Sequence, residues 1–190
     1  HKHGVPLIVD NTVATPVLCR PFEHGADIVI HSLTKYIGGH GTTIGGMIID
    51  SGKFDWVANK DRFPMLNEPD PSYHGVVYTA ALGAAAYIGR CRVVPLRNTG
   101  AALAPHSAFL LLQGLETLAL RMERHCSNAV AVANYLQNHP QIAWVNYAAL
   151  TNSPHQATCQ KITGGHASGI LSFGIKGGKE AGAKFIDALQ

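Results

Sequence analysis

A lysine and two hydroxyl side chains stand where an apolar run of this sequence gives way to glycines. Residues 29–41 read VIHSLTKYIGGHG, which places Ser32, Thr34 and Lys35 directly after the apolar residues. An amine that is desolvated beside apolar strand residues has its charged form disfavoured, which frees it to attack a carbonyl group. Taken alone, Lys35 is better explained as one of the many lysines that are solvated at the surface. Its neighbours change that balance.

Ser32 and Thr34 offer two hydroxyls on one side of the chain. They flank Leu33, so in an extended segment both side chains point the same way and can hold a phosphate group together with nearby backbone N–H groups. The S-x-T pattern by itself is too common to indicate a site. It gains meaning from the lysine that follows.

Asp10 ends an earlier apolar run, VPLIVD at residues 5–10. Adjacent parallel strands bring their carboxyl ends to one edge of a sheet, so we expect Asp10 and Lys35 to meet there. A pyridinium nitrogen needs a carboxylate partner to stay protonated, and the aldehyde of the same ring needs an amine. Asp10 and Lys35 supply both groups. The alternative, turn or helix-capping chemistry by Asp10, Asn11 and Thr12, is about equally frequent for such a triplet.

The glycine run GGHGTTIGG at residues 38–46 does not match a nucleotide-binding motif. It lacks the G-K-[ST] ending of a P-loop, and it does not follow a strand directly and open a helix as a dinucleotide fingerprint does. We expect the glycines to let the backbone pass close to a ligand or a neighbouring subunit.

Composition indicates a globular chain without a membrane span, a nucleic-acid surface or a metal site. Of 190 residues, 46% are apolar, yet no apolar run reaches the roughly 18 residues that a spanning helix needs. The formal charge is +3 and the Lys and Arg residues are scattered, unlike a nucleic-acid-binding surface. The four cysteines have no C-x-x-C spacing and the histidines no H-E-x-x-H spacing. These features predict reduced thiols and a cytoplasmic protein.

Apolar patterning predicts an α/β fold. Three runs at residues 5–10, 26–32 and 43–50 are typical of strands buried on both faces, with the site at their carboxyl ends. Residues 51–75 carry prolines and charges and predict a mostly irregular loop. Helical patterns cover residues 79–94 and 104–139, strand patterns 142–147 and 168–177, and a final helical pattern 178–190. We expect two domains, 1–120 and 121–190, the second a smaller α+β unit.

The segment from VDNT at residues 9–12 to KFDW at residues 53–56 resembles the lysine segment of the Cys/Met-metabolism family of pyridoxal-phosphate enzymes. The resemblance continues through EPDPSYHG at 68–75, FLLLQGLETLALRMERH at 109–125 and GILSFGIKGGKEAGAKFID at 169–187. It implies a fold-type I PLP-dependent transferase, similar to aspartate aminotransferase. Residues 1–120 would be part of the large PLP domain, and residues 121–190 the beginning of the small one.

The resemblance also implies roles for individual residues. Lys35 would bind the aldehyde of pyridoxal 5'-phosphate and later move the substrate α-proton. Asp10 would pair with the pyridine nitrogen, Thr12 would lie against the ring, and Ser32 and Thr34 would bind the cofactor phosphate.

Within the family, the chain is most similar to the O-acetylhomoserine sulfhydrylase branch. The implied reaction is γ-replacement, in which sulfide displaces acetate from O-acetyl-L-homoserine to give L-homocysteine. The implied assembly is a homotetramer. In cystathionine γ-synthases and γ-lyases, the segment after the lysine resembles N-G-H-S-D. This chain has GGHGT there, at residues 38–42. Those activities remain the alternative, and a non-catalytic piece that binds no cofactor is the alternative of another class.

The chain departs from the family pattern at several positions. Val13 stands where an aromatic residue is usual, and Leu33 where alanine is common, which would alter packing around the ring. The resemblance places the glycine-rich phosphate loop, the stacking aromatic residue and the neighbouring subunit's tyrosine and arginine before residue 1. It places the arginine for the substrate carboxylate after residue 190. We therefore expect these residues to be an internal piece of a larger fold.

Overall fold

A three-stranded mixed sheet organises the amino-terminal part of the protein, in a computed structural model that describes residues 3–189. Its strands are β1 (Ile8–Asp10), β2 (Ile28–Ser32) and β3 (Gly46–Asp50), in the spatial order β1-β2-β3. β1 is parallel to β2, and β3 is antiparallel to it. Between the first two strands, α1 (Thr15–Leu18) and a 3-10 turn at Pro21–His24 form the short crossover that the prolines predicted. Gly25 ends that turn with a left-handed φ of 88°.

The central strand is buried and its two neighbours are not. Ile28 and Val29 of β2 are almost fully covered, whereas Ile8 of β1 and Ile48 of β3 are about half exposed. The expectation that all three strands are buried on both faces is therefore wrong for β1 and β3. Both lie at the edges of this sheet, where one side of a strand has no neighbouring strand to cover it.

Helices follow the sheet, as the patterning predicted, but in shorter pieces. They are α2 (Pro64–Asn67), α3 (Tyr78–Leu82), α4 (Ala86–Cys91), α5 (Arg97–Thr99) and α6 (Pro105–Glu116). A 3-10 turn at Gly83–Ala85 and a π-helical turn at Arg92–Leu96 join α3, α4 and α5, the π turn containing Pro95. Residues 51–75 are largely irregular apart from α2, as expected. An aromatic cluster of Phe54, Trp56 and Tyr78 packs on Ile28 and anchors this region to β2.

The carboxy-terminal part begins with α7 (Leu118–Gln137), the longest helix described. Its buried residues include Met122, Cys126, Ala129 and Ala133. The spacing of Met122, Cys126, Val130, Ala133 and Leu136 in the sequence predicts one apolar stripe, but Val130 is 36% exposed and Ala129 is buried instead. Gly114 predicts an interruption of the helical pattern at residues 104–139, but the chain remains helical through Glu116 and breaks at Thr117 instead.

A two-stranded antiparallel sheet completes this part, formed by β4 (Ile142–Asn146) and β5 (Ser172–Ile175). Two further helices are α8 (Gln156–Thr163) and α9 (Gly178–Asp187). The sequence pattern had predicted α9 but not α8. Contacts divide the described chain into two units, residues 3–15 with 20–116 and residues 16–19 with 117–189. The alternation of strands and helices confirms the predicted α/β class.

Within residues 3–189, no helix is long and apolar enough to cross a membrane.

Candidate active site

The ends of β1 and β2 bring the sequence-predicted residues to one edge of the sheet. In the parallel register Asp10 lies opposite Ile30, and the backbone N–H of Asn11 donates to the Ile30 carbonyl at 2.9 Å. Ser32 is the last residue of β2, so it lies just beyond Asp10 at the same edge. The expected alignment of the two strand ends is therefore present for Asp10 and Ser32. It follows from parallel pairing, which points both carboxyl ends the same way.

Thr12 ties the two strand ends together. Its backbone N–H donates to the Asp10 carboxylate at 3.0 Å, and its hydroxyl oxygen accepts the backbone N–H of Ser32 at 2.8 Å. The hydroxyl of Thr12 and then its backbone N–H stabilise the ionised carboxylate, and together they hold the pKa of Asp10 below its usual range. The turn alternative for residues 10–12 is therefore present, and Thr12 in addition links Asp10 to Ser32.

His31 is a site neighbour that the sequence argument did not single out. It is 2% exposed, and its Nδ1 has no hydrogen-bond partner among the described residues. Burial lowers the pKa of His31, against the attraction of the Asp10 carboxylate. The neutral imidazole is therefore favoured beside that carboxylate. A histidine within an apolar strand run was the available signal, because buried strand positions rarely hold a group that can be charged.

Lys35 lies in a turn rather than in an extended segment. β2 ends at Ser32, and the N–H of Gly38 then donates to the Leu33 carbonyl at 2.9 Å. The N–H of Gly39 donates to the Lys35 carbonyl at 2.8 Å. The premise that residues 32–34 are extended, with both hydroxyls on one side, is therefore wrong. The turn exposes the Lys35 side chain, so the described residues do not supply the desolvation that the sequence suggested.

The hydroxyl of Thr34 closes the loop that follows Lys35. It accepts the backbone N–H of Gly45 at 3.1 Å and donates to the carbonyl of the same residue at 3.3 Å. The N–H of Leu33 also donates to the Gly45 carbonyl, at 2.9 Å. A phosphate at Thr34 would compete with the longer of these bonds, because a hydroxyl has one proton to donate. Ser32 differs, since its hydroxyl makes no hydrogen bond to another described residue.

Val13 and Leu33, two of the positions at which the chain departs from the family pattern, differ in exposure. Val13 is 42% exposed, next to the Asp10–Thr12 turn. Leu33 is 5% exposed and belongs to the turn that carries Lys35. Leu33 therefore acts as an apolar anchor for the turn.

The donor set at this edge suits a phosphorylated pyridine aldehyde. An ionised carboxylate at Asp10 fits a protonated ring nitrogen, and the exposed amine of Lys35 forms no ion pair with a described residue. The Ser32 hydroxyl can donate to a phosphate oxygen. These groups provide an acceptor, a nucleophile and a donor at one sheet edge. They do not form a metal site, because no group of three or more His, Cys, Asp or Glu side chains within residues 3–189 could hold an ion.

Comparison with known proteins points to the same chemistry. The model of a family described as Cys/Met metabolism PLP-dependent enzyme matches residues 1–190. A homocysteine synthase from Schizosaccharomyces pombe is 53% identical over 100% of this chain and 44% of its own length. An O-acetyl-L-homoserine sulfhydrylase from Leptospira meyeri is 50% identical over 98% of this chain and 44% of its own length. The chain thus spans about half the length of the curated relatives it matches.

A solved structure shares the fold as well as the sequence. It is a candidate O-acetylhomoserine (thiol)-lyase from Campylobacter jejuni, 45% identical, with a TM-score of 0.91 over 100% of this chain and 47% of that one. The description of that structure states that it contains a pyridoxyl-lysine phosphate.

Proposed function

This chain belongs to the Cys/Met metabolism family of PLP-dependent enzymes, and from that premise we propose that it carries the cofactor-binding lysine of an O-acetylhomoserine sulfhydrylase. The proposed reaction is γ-replacement, in which sulfide displaces acetate from O-acetyl-L-homoserine and L-homocysteine forms. The names of the relatives from Schizosaccharomyces pombe and Leptospira meyeri support this reaction. The observation that supports it is the sheet edge where Thr12 joins Asp10 to Ser32, the last residue before the turn that contains Lys35.

Lys35 is the proposed catalytic residue. Its exposed amine binds the aldehyde carbon of pyridoxal 5'-phosphate and, once released by substrate, moves the substrate α-proton as general acid and base. When bound, the cofactor supplies a ring that withdraws electrons from the substrate and stabilises negative charge on its carbons. Lys35 lies exposed in the turn, and a long flexible side chain suits a group that must act twice.

Asp10, Thr12, Ser32 and Thr34 are the proposed cofactor-binding residues. Asp10 accepts a hydrogen bond from the protonated ring nitrogen, and Thr12 keeps the carboxylate ionised while it lies against the ring. Ser32 donates to the phosphate from the end of β2. Thr34 does so by exchanging its bond to the Gly45 carbonyl for one to a phosphate oxygen.

The wider organisation of the protein is also a proposal. The unit containing β1–β3 would belong to the large PLP domain, and the unit containing α7, β4 and β5 to the small domain. We further propose a homotetramer in the cytoplasm, with a small amino-acid substrate and sulfide as partners. Sedimentation of the full-length protein would measure its oligomeric state, and a single monomeric species would contradict the proposed tetramer.

The test is to find the cofactor on Lys35. The full-length protein is treated with borohydride in the presence of pyridoxal 5'-phosphate, digested and examined by mass spectrometry. The expected result is a reduced pyridoxyl group on the peptide containing Lys35 in the native protein and none in Lys35→Ala. The matched control Lys53→Ala removes another exposed lysine and should retain the label. A native protein without label at Lys35 would refute the proposal.

The nucleophile is tested separately. O-acetyl-L-homoserine is supplied with sulfide or with cysteine, and the product is identified. Homocysteine from sulfide at the faster rate supports the sulfhydrylase. Preferential formation of cystathionine from cysteine, or cleavage of added cystathionine, would instead support the γ-synthase or γ-lyase alternative.

A further inference from the structure

Residues 33–45, which include Lys35, form a segment that we call the lysine loop. Helix α6 contacts this loop through a pair of glycines. Gly114 on α6 and Gly38 in the loop are both buried. A Cβ atom added to Gly114 would lie 2.7 Å from the carbonyl carbon of Gly38 and 2.9 Å from its Cα, and closer still to its carbonyl oxygen. All three atoms are backbone, which cannot swing aside as the end of a side chain can. The helix therefore supports the loop through a contact that only glycine allows.

Leu111, one turn earlier on α6, fills the space above two glycines of the same loop. A Cβ on Gly38 would lie 2.9 Å from Leu111 Cδ2, and a Cβ on Gly45 would lie 2.9 Å from Leu111 Cδ1. Leu111 is only 5% exposed, so its side chain is enclosed at this position. One leucine thus contacts the loop on both sides of its glycine-rich tip.

These two loop glycines are hydrogen-bonded to the residues beside Lys35. The N–H of Gly38 donates to the Leu33 carbonyl at 2.9 Å, and the N–H of Gly45 donates to the Thr34 hydroxyl at 3.1 Å. Leu33 and Thr34 immediately precede Lys35 in the turn. A shift of either glycine is therefore transmitted through short hydrogen bonds to the backbone that carries the amine.

We infer that Gly114 and Leu111 are positioning residues for Lys35, an inference that rests on the proposed role of this lysine. Contact with α6 fixes the position of the turn, and the turn in turn fixes the position of the Lys35 amine. An alanine at position 114 would force the Gly38 carbonyl to retreat by more than about 0.7 Å, because its carbon alone needs that distance to reach ordinary contact near 3.4 Å and its oxygen starts closer. A misplacement of about 1 Å in a catalytic group can lower the reaction rate about 100-fold.

The inference also explains the glycines that follow Lys35. They were expected to let backbone pass close to a ligand or to a neighbouring subunit. At Gly38 and Gly45 the partner is a helix of the same unit, and a side chain at either position would separate the loop from α6.

The experiment compares Gly114→Ala with Gly182→Ala in the full-length protein. Both glycines lie inside helices, where propensity favours alanine, but a Cβ on Gly182 meets nothing within 4 Å. The first readout is amide hydrogen exchange of residues 33–45 in protein freed of cofactor. The second is the affinity for pyridoxal 5'-phosphate, measured by equilibrium titration.

The expected result is faster exchange at residues 33–45 and roughly 10-fold weaker cofactor binding in Gly114→Ala, with neither change in Gly182→Ala. Native exchange and native affinity in Gly114→Ala would overturn the inference. So would faster exchange spread evenly over the protein, because that reports only a loss of stability.

A second variant covers the case in which Gly114→Ala does not fold. Leu111→Ala removes atoms and adds none, while Leu111→Met keeps the volume. Leu111→Ala should loosen residues 33–45 and Leu111→Met should restore native exchange, whereas native exchange in Leu111→Ala would overturn the inference. Because exchange is read without cofactor, a native protein that fails to take the label at Lys35 refutes the proposed function and leaves this measurement intact.

Discussion

Replacing Thr12 by valine should loosen the link between the ends of β1 and β2. The hydroxyl oxygen of Thr12 accepts the Ser32 N–H at 2.8 Å, and its backbone and side chain hold the Asp10 carboxylate. Valine keeps the branched shape and removes the hydroxyl. The variant therefore leaves a half-buried N–H without its acceptor and takes one stabilising hydrogen bond from the Asp10 carboxylate.

The expected loss of unfolding free energy is about 1–2 kcal/mol. A neutral hydrogen bond contributes about 1 kcal/mol net, and a buried donor left unpaired costs up to about 3 kcal/mol. The Ser32 N–H is only partly buried, so its cost lies toward the lower end. The bond to Asp10 adds little at neutral pH, because that carboxylate is exposed and well screened by solvent.

Urea unfolding of the native protein, Thr12→Val and Thr12→Ser measures this loss. Serine keeps the hydroxyl, so Thr12→Ser should retain most of the stability. Because the pKa of Asp10 is lowered in the folded state, its contribution is present above the unfolded value of about 4 and disappears as pH falls through the folded value. The difference between the native protein and Thr12→Val should therefore shrink in acid. Equal stability of the three proteins near pH 7, with unchanged hydrogen exchange at the Ser32 amide, would refute the reasoning.

Three further predictions concern buried groups elsewhere. Burial lowers the pKa of His31, so below about pH 6.5 the unfolded chain binds a proton that the folded chain does not. As the pH falls from about 7 to 5.5, the unfolding free energy of His31→Phe should therefore decrease less than that of the native protein. Parallel pH profiles of the two proteins would contradict this. Met122 is fully buried in α7, so Met122→Ala should lower the unfolding free energy in urea titrations by about 2–5 kcal/mol. The control Glu123→Ala, at an exposed position, should change it by less than about 0.5 kcal/mol. Equal effects of the two substitutions would disprove the packing argument. Hydrogen bonds from the Ser72 and then the Tyr78 hydroxyl hold the pKa of Asp70 below its usual range, the Tyr78 hydroxyl donating at 2.7 Å. Carbon NMR should therefore show this pKa rising in Tyr78→Phe, and an unchanged titration would argue against the bond.

Sequence patterning predicted the α/β class and the positions of the five strands that the structure describes within residues 3–189, and the family resemblance implied the chemistry. Strands such as β2 are recognisable because a continuous apolar run has few other stable conformations. Patterning failed for α8, whose polar segment Gln156–Thr163 buries only Cys159 and so shows no clear apolar stripe. It was also wrong on the burial of β1 and β3, because an apolar run does not reveal which strands lie at a sheet edge.

The sequence proposes residue types for the candidate site, but it did not predict the geometry of the segment that holds them. Asp10, Ser32, Thr34 and Lys35 could be named because each stands at or just beyond the end of an apolar run. No pattern indicated that the backbone turns immediately after Ser32, since the residues that follow permit either an extended strand or a turn. That choice depends on the hydrogen bonds of Gly38, which pairs with the Leu33 carbonyl.

The amino-acid sequence alone therefore determined which reactive groups lie near one another along the chain and which family chemistry they suit. Only the tertiary structure decided that Thr12 joins Asp10 to Ser32, that Thr34 closes the lysine loop, and that Gly114 supports it from α6. The physical reason is that residue type and local spacing set strand and helix preference, whereas a contact such as Gly114 with Gly38 joins segments far apart in the chain. Such a contact forms only when both backbones pack, and only then does the reactive amine acquire a defined position.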